Sequence, residues 1–555
     1  MNIDITSNTD EDGAIDAAID ANGEPRSKKT FYLTTPIYYV NDVPHIGHAY
    51  TTVNADFLAR YHRLAGENVF LLTGTDEHGQ KIAQTAEANG MSPIEWADQI
   101  LPRWREVWER LEISYDDFIR TTEDRHTQPV QELVQKLYDQ GDIYLDTYTG
   151  PYCVACEAFY QPSEIIDGLC PIHERPVEWI EEQNYFFRLS AYADRLIELY
   201  ETRPEFVQPD IRRNEVMSFV KGGLQDLSIS RTSFSWGVPI PWDPKHVMYV
   251  WIDALQNYTT AVGQGRDPER FNRIWPADLH LIGKDILRQH AVIWPAMLMA
   301  AGLELPRVVF AHGYLTVGGK KMSKTSLTGI SPHLLLDTFG SDGYRYHFLR
   351  EGTFGQDGGF SWEAMTARYN ADLANDLGNL VSRSLAMTTN YFEAVVPQPV
   401  GDTELETALH QVAERAGEQL DVKVRELNPS GALAEVFEFV KAVNHYIDDT
   451  TPWKLAKDPE QRDRLATVIH TICEAIRQIA LQRVEVAVRV DPDQSGFSTS
   501  TLGKMEAPLV TLVPARVVPA GSDSDSGRGS SGSTPSCSRI RRDAEGIAGE
   551  ISTEI

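Results

Sequence analysis

The stretch FYLTTPIYYVNDVPHIGHAYTTVNADFLARYHRLAGENVFLLTG, residues 31–74, decides the fold. Phe31-Tyr32-Leu33-Thr34-Thr35-Pro36 is a run of aromatic and β-branched residues stopped by proline, which predicts a buried strand. The loop Asn41-Asp42-Val43-Pro44 follows, and His45 to Ala65 then carries apolar residues at helical spacing before ending near Gly66. Val69-Phe70-Leu71-Leu72-Thr73-Gly74 is a second short apolar strand closed by glycine. Strand, loop, helix, strand is how a right-handed parallel α/β unit begins.

Parallel α/β character is interrupted and then resumes. From about Ile143 to Pro239 periodicity is lost around a cysteine cluster, with a helix near Tyr192 to Tyr200, and this stretch reads as an insertion. Strands are expected again at Val247–Trp251, Leu279–Gly283 and Val308–His312. A Rossmann-like nucleotide fold, residues 30–142 and 240–330, is therefore predicted to be split by an insert at 143–239. Residues 331–370 read as a linker. Helical apolar spacing at 371–391, 404–427, 433–446 and 462–480 predicts a helical bundle over 371–485. The acidic extension 1–29 and the tail 486–555, rich in Gly and Ser near 521–535, cannot bury enough apolar surface and are expected to be disordered.

Length and composition agree with several packed units. At 555 residues the chain is too long for one core, and 11 Trp, 22 Tyr and 20 Phe supply the apolar mass for cores and specific pockets. Asp+Glu 80 against Lys+Arg 51 leaves a net charge of −29, so a nucleic-acid partner would need a local basic path. No basic segment followed by an apolar stretch opens the chain, and a soluble, cytoplasmic protein is expected.

Three groups of residues carry chemistry. His45-Ile46-Gly47-His48 stands where a loop delivers the chain to a helix N-terminus, a place that favours anions. Both imidazoles can donate to phosphate oxygens, and Gly47 lets a flat base lie against the backbone. Far downstream, Val317-Gly318-Gly319-Lys320-Lys321-Met322-Ser323-Lys324-Thr325 is a glycine-bearing lysine loop suited to closing over a triphosphate. The third group is Cys153, Cys156, Cys170 and His173, two close pairs separated by 13 residues. Two turns bearing soft ligands can converge as a closed tetrahedral set, the pattern of one structural zinc per chain.

Together the first two motifs resemble the HIGH and KMSKS signatures of class I aminoacyl-tRNA synthetases, with Thr325 where the second signature ends in Ser. Tyr39 ahead of His45, Thr73-Gly74-Thr75-Asp76-Glu77-His78-Gly79, Tyr249-Val250-Trp251-Ile252-Asp253-Ala254, Gly283-Lys284-Asp285-Ile286 and Asn379-Leu380-Val381-Ser382-Arg383 narrow the resemblance to the methionyl-tRNA synthetase family, over about residues 30 to 480. The resemblance implies a methionine pocket of Pro36, Ile37, Tyr39, Trp251, Ala254, Tyr258, Ile286, His290 and Trp294, with Asp76 on the amino group. An aromatic and aliphatic box suits a polarizable thioether. It also implies an anticodon-reading set of Asn379, Arg383 and Trp453 in an anticodon-binding bundle, and a zinc knuckle in the insert.

The activity implied is activation of methionine by Mg-ATP to methionyl-adenylate, then transfer to initiator and elongator tRNA(Met). His45, Gly47, His48, Gly283, Asp285, Lys321 and Lys324 would bind ATP, with His45, His48, Lys321 and Lys324 stabilising the reacting phosphates. An insert of about 95 residues leaves no room for the editing domain of the large branched-chain synthetases, and zinc ligands in the insert disfavour the cysteine enzyme. A nucleotidylyltransferase with the same phosphate site but no tRNA would lack the helical segment, and a noncatalytic relic would have lost signature residues. No appended dimerisation domain is recognised, so a monomer is expected.

Overall fold

A computed structural model of the chain describes residues 30–153, 158–160, 165–171, 175–317, 320–321 and 330–480. It divides into two compact units, Met1–Tyr314 and Leu315–Ile555. The first is built on six strands: β1 (Phe31–Tyr39), β2 (Val69–Asp76), β3 (Asp117–Arg120), β4 (Val207–Gln208), β5 (Leu279–Gly283) and β6 (Val308–His312). Their order is β3-β2-β1-β5-β6-β4, and every adjacent pair is parallel. The chain winds outward from β1 to β3 and later returns to the other flank of β1. The topology therefore reverses between β1 and β5, and in open α/β sheets that is where ligands collect, beyond the strands' C-terminal ends. Tyr39, Asp76, Gly283 and His312 stand at those ends.

Pro36 does not stop the first strand. The pairing of β1 with β2 runs from Phe31↔Val69 to Thr34↔Leu72, slips, and resumes from Ile37↔Gly74 to Tyr39↔Asp76. A proline cannot donate to the ladder, so the strand bulges there instead of ending. Gly74 explains how closely β2 and β3 approach, because a Cβ at this position would lie 2.1 Å from the Ile119 carbonyl oxygen. The predicted helix is α1 (Ile46–Leu64), followed by Gly66 at φ +80°.

The stretch read as an insertion, 143–239, carries its own antiparallel sheet, to which Leu227–Ser228 returns beside Phe186–Phe187. Ile143–Cys153 and Glu178–Phe187 form an antiparallel ladder from Ile143↔Phe187 to Tyr152↔Glu178. The helix Ala193–Thr202 then returns the chain to the parallel sheet, where Val207 and Gln208 of β4 pair with Val309 and Phe310 of β6. A two-residue strand is too short to leave a periodic signal, which is why the sequence hid it. The strand expected at Val247–Trp251 is also different. Asp243–Met248 pairs antiparallel with Pro239–Ile240 and Ser230–Arg231, and Val250–Ala254 is a short helix. Val247, Met248, Tyr249, Val250 and Ile252 are buried, so the junction of strand and helix reads as one continuous apolar run.

In the second unit, Leu315–Val317 pairs antiparallel with Lys320–Lys321 and parallel with Gly358–Phe360. The stretch read as a linker is helical from Pro332 to Arg350, broken at Gly340, and buries Leu335, Phe339, Tyr344 and Tyr346. Helices Asn379–Phe392, Glu404–Arg425, Pro429–Thr450 and Arg462–Ile479 follow as predicted. Leu409, Ala413, Ala416, Leu420 and Val424 form one buried stripe, and Leu433, Val436, Phe437, Val440 and Val443 another, the three-and-four spacing of packed amphipathic helices.

Candidate active site

The His45–His48 pair caps α1 with its own rings. Gly47 N–H donates to His45 Nδ1 (3.1 Å) and His45 N–H donates to His48 Nδ1 (3.3 Å), a reciprocal capping box built from imidazoles. The rings stack at 3.7 Å. Because both Nδ1 atoms accept from backbone, each neutral ring carries its proton on Nε2. His48 also lies against Tyr38 (5.1 Å) and Trp104 (5.0 Å), and Trp104 Nε1 donates to the Asp42 carbonyl (3.1 Å), which fixes the loop before the helix.

At the end of β5, Gly283 and Asp285 are placed by close approach. A Cβ on Gly283 would stand 2.6 Å from Asp285 Oδ1. His312 Nδ1–H donates to the Gly313 carbonyl (2.8 Å), so its Nε2 accepts from Thr51 Oγ1 (2.7 Å) and ties β6 to α1.

Of the residues expected in the methionine pocket, Trp251, Tyr258, His290 and Trp294 stand in ring contact. Tyr258, His290 and Trp294 are buried, while Ile37, Tyr39, Trp251 and Ile286 are partly buried and pack against the same core. Pro36 and Ala254 are buried in β1 and in the helix Val250–Ala254. His290 Nδ1–H donates to the Ile286 carbonyl (2.9 Å), which leaves Nε2 to accept from the Tyr258 hydroxyl (2.7 Å). His280, which sequence reasoning missed, is held the same way. The Trp294 indole can only donate, and does so to His280 Nε2 (3.3 Å); Nδ1–H then donates to Thr34 (2.7 Å), the register partner of His280 across β1 and β5. Its signal was a histidine inside the apolar strand Leu279–Gly283. Burial pushes His290 down to about 4 and His280 well below the ordinary histidine value, so both rings are neutral. The box thus presents uncharged aromatic surface.

Asp76, at the end of β2, is buried, and the next residue Glu77 is anchored by Thr75 (2.8 Å) and Arg120 (2.8 Å). Asp76 is the register partner of Tyr39 across β2 and β1, which sets it beside the box, and burial raises the Tyr258 hydroxyl out of the ordinary tyrosine range, with the charge of Asp76 adding to this. One negative group beside a neutral aromatic pocket can take an ammonium with an apolar side chain.

The family model for class I tRNA synthetases (M) matches residues 31–177 and 160–385. The methionine–tRNA ligase of Streptomyces coelicolor is 56% identical over 470 residues, covering 82% of this chain and 87% of its own length. The chain belongs to the methionyl-tRNA synthetase family. That of Caldanaerobacter subterraneus is 52% identical over 455 residues, covering 82% of this chain and 71% of its own. A solved structure of Mycobacterium tuberculosis methionyl-tRNA synthetase in complex with methionyl-adenylate superimposes with a TM-score of 0.81 at 45% identity, covering 85% of this chain and 93% of the other.

For a methionyl-tRNA synthetase, the second unit holds the expected lysine-loop and anticodon residues. Lys321 lies in the short strand Lys320–Lys321, while Lys324 and Thr325 fall outside the described residues. Asn379 is exposed at the start of the helix Asn379–Phe392. Arg383, one turn on, pairs with Asp448 (3.1 Å), five positions before Trp453. Trp453 is 39% exposed on the short helix Pro452–Leu455, so it is a surface aromatic and not a core residue.

Of the expected zinc ligands, Cys153 and Cys170 are buried in one small cluster with Tyr160, flanked by Ile165 and Val177. Cys156 and His173 lie outside the described residues, so no group of three or more candidate ligands occurs among the described ones. Cys153 ends the strand Ile143–Cys153 and Cys170 lies 17 residues on, and two buried thiols are half of a closed tetrahedral set.

Proposed function

We propose that this chain is a methionine–tRNA ligase that activates L-methionine with Mg-ATP and transfers it to the 3′ terminal adenosine of initiator and elongator tRNA(Met). The observation that carries the reading is the neutral aromatic box, with its imidazoles locked as single tautomers, next to Asp76 at the switch point of a parallel sheet. Asp76 holds the ammonium of methionine, and Trp251, Tyr258, Ile286, His290 and Trp294 enclose the thioether with Pro36, Ile37, Tyr39 and Ala254.

The methionine carboxylate attacks the α-phosphorus in line, and pyrophosphate leaves. Such a step needs positioning and charge stabilisation more than proton transfer. His45 and His48 donate from Nε2 to phosphate oxygens at the positive end of α1, and Gly47 admits the flat base. Asp285, set close by Gly283, takes the ribose hydroxyls. Lys321 and Lys324 close on the leaving pyrophosphate, and magnesium supplies countercharge to the phosphates. A hydroxyl of the tRNA terminal adenosine then attacks the adenylate carbonyl.

Asn379, Arg383 and Trp453 read the anticodon by hydrogen bonding and stacking, which requires unstacked loop bases. Cys153, Cys156, Cys170 and His173 hold one zinc, which supplies folding energy to the insert and no reacting position. The enzyme acts as a monomer in the cytoplasm, and no described helix is long and apolar enough to cross a membrane. Charging assays with labelled methionine test the reading: tRNA with a CAU anticodon should be acylated, and failure to charge it while other tRNAs are charged would refute it.

A further inference from the structure

We infer that Asp253 is a positioning residue of the amino-acid site: its buried carboxylate joins the end of β2, which bears Asp76, to the helix that bears Trp251 and Ala254. The inference rests on the methionine-site reading above and deepens it.

The helix Val250–Ala254 has five residues, and its N-cap Tyr249 makes no side-chain cap. A helix this short does not hold itself, so tertiary contacts must orient Trp251. Asp253 supplies two. Its Oδ2 accepts from His78 Nδ1 (2.6 Å), and its Oδ1 accepts from His126 Nε2 (2.7 Å). His78 lies two residues after Asp76 and stands edge-on to Trp236 (5.3 Å), whose indole donates to the Glu77 carbonyl (2.6 Å). His126, in the helix Asp124–Asp139, reaches Thr260 Oγ1 through its other nitrogen (2.7 Å), two residues beyond Tyr258. One carboxylate therefore cross-links the segments that carry Asp76, Trp251, Ala254 and Tyr258.

Asp253 is 1% exposed, and carboxylates are seldom so buried without partners. Burial alone would raise its pKa, but the His78 charge and the bonds from both imidazoles outweigh burial and hold it at about 2. Ionised acceptors make hydrogen bonds roughly twice as strong as neutral ones, so replacing the carboxylate with an amide of the same shape loosens both links. None of these groups belongs to the expected ATP site, so the effect should fall on methionine.

Asp253→Asn tests this in methionine-dependent ATP–pyrophosphate exchange. The KM for methionine should rise about ten-fold, the loss of about 1.4 kcal/mol of binding, while the KM for ATP stays within about two-fold of wild type. An unchanged methionine KM, or an equal rise for both substrates, overturns the inference. If Asp253→Asn does not fold, two substitutions of its partner replace it. His78→Gln, whose amide can still donate to Oδ2, should retain the methionine KM that His78→Leu loses, and equal values for the two overturn the inference. A wild-type chain without methionine-dependent exchange would instead sink the functional reading, and this inference with it. An active wild type matched by Asp253→Asn sinks the inference alone.

Discussion

Tyr258→Phe takes one oxygen out of the methionine box and leaves its shape intact. In the folded chain that oxygen donates at 2.7 Å to His290 Nε2, and the Ile286 carbonyl, which can only accept, prevents the imidazole from switching tautomer. The substitution therefore removes a bond of about 0.5–1.5 kcal/mol and strands a buried acceptor that costs about 1–3 kcal/mol. A net loss of about 2 kcal/mol in stability is expected, with the methionine KM rising by up to about thirty-fold as the ring turns. Replacing both partners removes the stranded acceptor, so Tyr258→Phe/His290→Leu should be no less stable than His290→Leu alone. Urea titrations of the four proteins, with exchange kinetics on each, measure the coupling. Additive penalties, or a Tyr258→Phe chain as stable as wild type, would show that the Tyr258–His290 bond does not organise the pocket.

Acidification should loosen the same region. His290 is held at about 4 in the fold against 6.5 when unfolded, so the neutral form stabilises fully above 6.5, and stability is lost as pH falls from 6.5 towards 4, by about 3 kcal/mol from this group. Melting curves across that window should show a steeper loss for wild type than for His290→Gln, and parallel curves would count against a buried neutral ring. Trp453→Ala removes a stacking surface worth about 1–3 kcal/mol per base, so the KM for tRNA should rise while methionine-dependent exchange stays near wild type. Lys324→Ala should do the reverse, lowering kcat for activation and sparing tRNA binding; an abolished exchange in Trp453→Ala would contradict the division of roles. Elemental analysis should find about one zinc per chain, lost in Cys170→Ser, and native protein with neither zinc nor iron would end the knuckle reading.

The parallel core was legible because its strands are continuous apolar runs with clear stops: Leu279–Gly283 and Val308–His312 have the predicted bounds, and α1 starts directly after His45. The errors lie where local pattern and tertiary burial part company. Pro36 reads as a strand end because proline breaks a ladder, yet the sheet absorbs it as a bulge and carries the pairing on to Asp76. The two residues of β4 join the sheet on the strength of neighbouring helices, which no window of their own sequence could reveal. For the site, aromatic residues and the His45–His48 pair could be read from type and spacing. His280, His126 and Asp253 could not, because their roles depend on partners far along the chain, such as Asp253 for His126, 127 positions away, and Thr34 for His280, 246 positions away. For His280 and Asp253, a polar residue inside an apolar run was the available hint.

The most direct measurement of the central claim is ATP–pyrophosphate exchange on the purified chain, run separately with each of the twenty amino acids. Exchange that depends on methionine, with the branched-chain amino acids and cysteine far behind, is the predicted result. Exchange driven best by another amino acid, or ATP turnover indifferent to all of them, would contradict it.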